Sequence, residues 1–79
     1  MEGVYMSYHK KWYRIRVGAM NPLNEKLESR IYTIPCLAEN EHGRSRAIKN
    51  ALALFIHDME TVLREGDKIA VASCDLIEK

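Results

Sequence analysis

Seventy-nine residues, 47% apolar and 29% charged, have the composition of one soluble globular domain rather than of a disordered chain. A chain this short buries only about 60% of the surface that its unfolded form exposes, which leaves little volume for a pocket shielded from water and disfavours an enzyme. The net charge is only +1, and no apolar run reaches the ~20 residues of a membrane span.

That even charge conceals a division. Residues 1–49 carry nine cations against five carboxylates, and residues 50–79 carry three against six. Such a dipolar molecule suits docking in one orientation. The N-terminus lacks the basic start and long apolar stretch of a signal peptide. The expected compartment is therefore the cytoplasm. Residues 1–79 read as a single domain, with 1–8 as an arm or a short extra strand and Met6 as an alternative start.

Residues 8–16 run Tyr8-His9-Lys10-Lys11-Trp12-Tyr13-Arg14-Ile15-Arg16, with no carboxylate between Gly3 and Pro22. Four fixed cations among three aromatics can hold an anion, because cations pair with phosphate or carboxylate and rings stack. The same residues also fit an ordinary half-buried strand. From Trp12 to Val17 the alternation is period two, placing Tyr13, Ile15 and Val17 on one face and Trp12, Arg14 and Arg16 on the other. Gly18 to Ser29, with Asn21-Pro22 and Asn24, reads as a polar connection too long for a tight hairpin. Arg30 to Ala38 reads as the second strand. Pro35 cannot donate to a ladder, so this strand is expected at a sheet edge or bulged there.

The clearest element is a helix from about Asn40 to Glu65. Its apolar stripe comprises Ile48, Ala51, Leu52, Phe55, Ile56, Met59, Val62 and Leu63, with Asn40 as N-cap and Gly66 as left-handed terminator. Leu54 falls off the stripe and, with Ala53 and His57, is a candidate seed for a homodimer or partner contact. Lys68 to Leu76 reads as the third strand. Cys36 and Cys74 have no CxxC partner and no histidine at ligand spacing, which argues against a disulfide framework or a metal site. Each reads as a small buried apolar group. His9, His42 and His57 show no metal or catalytic spacing, and no glycine-rich phosphate loop is present. No cofactor is expected.

The element order is β-β-α-β. Short connections and the crossover rule lead to an α+β fold, a three-stranded antiparallel sheet in order 2-1-3 with one long helix on one face. The helix would cover Tyr13, Ile15 and Val17, leaving Trp12, Arg14 and Arg16 on an open face flanked by Lys10 and Lys11. A second cationic group, Arg44, Arg46 and Lys49, sits at the start of the helix against the preference of the helix dipole. With the helix on the far side of the sheet, the two groups would meet only around an edge. Glu39 and Glu41 are available to neutralise part of the second group.

Ser45-Arg46-Ala47-Ile48-Lys49-Asn50-Ala51 is somewhat similar to the second helix of double-stranded RNA-binding domains, though one residue short of that spacing. The chain lacks that family's first helix and adds a strand after the last one. A broader likeness rests on Trp12-Tyr13-Arg14-Ile15-Arg16-Val17, Arg30-Ile31-Tyr32-Thr33-Ile34 and the polar lead Ala38-Glu39-Asn40-Glu41 into an alanine-spaced helix. In layout from Trp12 to Leu76 the chain resembles small phage-encoded inhibitors of the type I anti-CRISPR kind. The resemblance implies a non-enzymatic protein that occupies a surface of a host nucleic-acid-handling complex. It carries no diagnostic motif. Such inhibitors that mimic DNA are strongly acidic, which this chain is not, so the expectation is a plug for a host protein or nucleoprotein complex. Lys10, Lys11, Trp12, Arg14, Arg16, Arg44, Arg46 and Lys49 are the expected contacts. The alternative is direct RNA or DNA binding through the same residues.

Overall fold

A computed structural model describes residues 11–35 and 41–78, with the side chains of residues 41 and 78 left aside. The element order is β1 (Lys11–Met20), β2 (Lys26–Pro35), α1 (Glu41–Asp58) and β3 (Lys68–Glu78). The strands form one antiparallel sheet in the order β2-β1-β3, so the fold is α+β with the β-β-α-β layout and the 2-1-3 order read from the sequence. Val4 to Tyr8, Lys10 and Cys36 lie outside the described residues.

β1 is the central strand, and its alternation sets the two faces of the sheet. Tyr13, Ile15, Val17 and Ala19 are buried beneath the helix, while Arg14, Arg16 and Met20 are exposed. From α1, Ala47, Ala51 and Phe55, followed by Met59 just past its end, are buried against them at four-residue spacing, with Ile34 contributed by β2. Ile48 and Leu52 pack only at the margin of this core. Ile56 and Val62, which the helical wheel places in the stripe, are 50% and 46% exposed. The stripe is wider than the three-stranded sheet it covers.

Three boundaries differ from the sequence reading. β1 and β2 both extend inward, so the polar connection shrinks to Asn21–Glu25. Its closure is local: the Asn21 side-chain oxygen accepts from the backbone N–H groups of Leu23 and Glu25, each at 2.9 Å, and Asn24 N–H donates to the Asn21 carbonyl at 2.9 Å. Asn24 adopts φ 63°, a left-handed conformation that asparagine tolerates. The helix ends at Asp58, seven residues before the expected Glu65, and Met59 to Val62 continue as turns. Met59 stays buried through those turns, which is why the apolar period runs past the true end. Gly66 does take a positive φ of 94°, but in the turn that launches β3 and not as the helix terminator. Pro35 lies in β2, an edge strand, where its missing donor is tolerated.

Both neighbours of β1 carry a bulge near Gly18. On β2, Gly18 pairs with Ser29 but Met20 pairs with Lys26, one residue beyond the regular partner Leu27. On β3, Arg16 pairs with Ser73 but Val17 pairs with Val71, leaving Ala72 as the extra residue. Because side chains alternate with period two, each inserted residue exchanges the faces of everything beyond it. Leu27, Ile69 and Val71 therefore pack against the core, and Lys26, Lys68 and Ala70 are exposed. Continuous pairing would have reversed all six.

Candidate binding face

The pairing register lays out the face opposite the helix in rows across the sheet. From one end they are Pro35–Trp12–Ile77, Thr33–Arg14–Asp75, Ile31–Arg16–Ser73, Ser29–Gly18–Ala70 and Lys26–Met20–Lys68. Arg14, Arg16, Lys26 and Lys68 are all exposed there, and Asp75 is the one carboxylate in these rows. Ile31 and Met20 add apolar surface, 51% and 37% exposed. Among the described residues, no element packs over this side.

The fourth row is hollow. Gly18 has no side chain and Ala70 has only a methyl, while Arg16, Met20, Lys26 and Lys68 stand around them. The result is an open concavity of about 470 Å³, lined also by Asn24, Ser29 and Ala72. Exposed ammonium and guanidinium groups around an apolar floor can hold a carboxylate or phosphate through charge-assisted hydrogen bonds, and the guanidinium can do so bidentately.

Of the residues picked out in the sequence, Trp12, Arg14 and Arg16 share this face, with Trp12 half-buried. Lys11 has the parity of Tyr13 and so falls on the helix-facing side. Arg44, Arg46 and Lys49 are exposed on α1, in the other layer. Arg46 borders a separate groove of about 430 Å³ between the helix and β2, together with Ile34, Pro35, Asn50 and Leu54. The two cationic groups thus belong to different surfaces. Leu54, 44% exposed, lies in that second groove and not on the open sheet face.

Lys26 and Lys68 were missed by the sequence reading because one lies in what read as a connection and the other begins a strand. The signal was available in β3, where Ile69 and Val71 occupy odd positions while Cys74 and Leu76 occupy even ones. A change of phase within one strand marks a bulge.

The helix-facing side has its own polar cluster at the β2 edge. The Tyr32 hydroxyl donates to Asp58 Oδ2 at 2.7 Å, tying β2 to the end of α1. Burial, then the hydrogen bond to Asp58 and that carboxylate's charge, push the Tyr32 hydroxyl up to about 12. Arg30 donates through Nη2 to Glu28 Oε2 at 2.8 Å and through Nε to the same oxygen at 3.1 Å. The Glu28 carboxylate raises its pKa further. Arg30 is thereby matched by a carboxylate, unlike the cations around the concavity.

Among the described residues, no group of three or more His, Cys, Asp or Glu side chains is placed to hold a metal, and no helix is long and apolar enough to cross a membrane. Cys74 is free and half-buried against the core. No family model, curated protein or solved structure matches the chain.

Proposed function

We propose that this chain is a non-enzymatic binding module that docks its open sheet face on an acidic surface of a protein. In the reading drawn from its phage-inhibitor layout, that protein belongs to a host nucleic-acid-handling complex, and docking blocks the occupied surface. One observation supports the reading above the others. Four exposed cations stand against one carboxylate on a face that also exposes Ile31 and Met20. Arginine, methionine and aromatic side chains are the types enriched at protein interfaces. The same four cations favour a second reading, direct binding of RNA or DNA.

Affinity capture from a nuclease-treated host lysate tests the first reading, with Arg14→Glu/Arg16→Glu as the control. Both residues are exposed, so the double variant keeps the fold. The expected result is a stoichiometric protein complex held by the wild type and lost from the variant. A complex that survives the double reversal refutes the docking face. Retardation of an oligonucleotide, with a log–log salt slope near one unit for each phosphate neutralised, would replace the first reading by the second.

A further inference from the structure

We infer that the concavity around Gly18 seats an apolar side chain from an acidic segment of a partner protein, with Arg16, Lys26 and Lys68 holding the carboxylates beside it. The inference rests on the docking-face reading and specifies the chemistry of what docks.

The first argument concerns the glycine. A glycine inside a strand weakens it relative to alanine. The usual compensations are missing at Gly18. Its backbone is outside the left-handed region, and an added Cβ would meet the Ser29 Cβ at 3.5 Å, an ordinary contact. The extra residues of the two neighbouring bulges lie on β2 and β3 and not on β1, so neither Gly18's own backbone nor its packing calls for glycine here. A strand glycine of that kind fits a place where another molecule approaches closely. Exposed Ala70 and Ala72, poor strand formers, extend the hollow.

Charge then selects the occupant. The lining holds three cations and no carboxylate, so the complementary partner is anionic. Two copies of this face are excluded by the same count, because an isologous contact would press like charges together. Nucleic acid fits less well. Sheet surfaces that bind single strands stack bases on aromatic rings, and no ring lines the concavity. Trp12 lies six residues along β1, roughly 20 Å away at strand spacing. A floor of methyl groups beside the Met20 thioether suits an aliphatic or aromatic side chain instead.

Selection of random displayed peptides on the full-length protein, followed by anisotropy titration of the best labelled peptide, provides the test. Enriched peptides should share an aliphatic or aromatic residue with Asp or Glu within a few positions. Gly18→Val, a strand-compatible change that fills the hollow, should weaken binding about tenfold or more, as should Lys26→Glu and Lys68→Glu. Ala70→Leu fills the same space from β3 and serves if the valine variant does not fold. The inference is overturned by failure to enrich any sequence, by enriched peptides without carboxylates, or by an oligothymidine that outcompetes them. Affinity unchanged by both filling variants also overturns it. In that last case Arg14→Glu, outside the concavity, separates the two levels. Loss of binding there leaves the docking face standing without the Gly18 seat, and retention removes both.

Discussion

Gly18 in the sheet and Gly66 in the turn before β3 should respond to alanine with opposite signs. Gly66 sits at φ 94°, where an L side chain costs roughly 1–2 kcal/mol, and its new Cβ would come within 3.2 Å of the Pro22 Cγ. Gly66→Ala is therefore expected to lose about 2 kcal/mol. For a domain of this size that lowers Tm by roughly 8–16 °C. Gly18→Ala meets no such obstacle. Restricting the unfolded chain at a site the folded state accepts should stabilise by about 0.4–1 kcal/mol. Urea unfolding followed by circular dichroism reads both changes as shifts of midpoint at constant slope. The reasoning fails if Gly18→Ala is the more damaging of the two, or if Gly66→Ala leaves the midpoint where it was. A gain at Gly18 would show that this glycine is kept for something other than folding.

Phe55 is fully buried at the centre of the core, so Phe55→Ala should cost about 3–5 kcal/mol, near the whole stability of so small a domain. Ile56→Ser, one residue along and half exposed, should stay within about 1 kcal/mol, and equal urea midpoints for the two variants would contradict the assigned faces. Tyr32→Phe should cost about 1 kcal/mol at neutral pH through loss of the bond to Asp58. Its pH dependence carries a definite sign. The folded hydroxyl is raised from 10.0 to about 12, so its contribution is whole below pH 10 and is lost between pH 10 and 12. Midpoints measured across that window should fall more steeply for the wild type than for Tyr32→Phe, and parallel curves would refute the assignment.

The layout was legible in the sequence where one periodicity acted over enough residues. Tyr13, Ile15 and Val17 alternate without interruption, and the helix repeats its apolar contacts from Ala47 to Phe55. Periodicity failed where the chain leaves a regular element while continuing to bury side chains, as at Met59 beyond the helix end. It failed also at the bulges, where an inserted residue shifts the pattern by one and makes a strand such as Lys68–Glu78 look merely apolar. Of the candidate contacts, Arg14 and Arg16 could be placed because their strand is regular. Lys26 and Lys68 could not, since each owes its face to an irregularity opposite β1. Arg44, Arg46 and Lys49 were identifiable as a cluster, but which layer they serve is a question of tertiary placement.

The concavity also has a history in the folding of the chain. Arg16, Gly18 and Lys26 come together when a five-residue turn closes the β1–β2 hairpin, a local event with little loop entropy to overcome. Lys68, Ala70 and Ala72 reach the same place only when β3 closes the long excursion from Met20 to Lys68. The hairpin alone therefore has half a rim and no far wall. A chain shortened before β3 would keep every one of the basic and aromatic residues from Trp12 to Arg16 and still lack the seat.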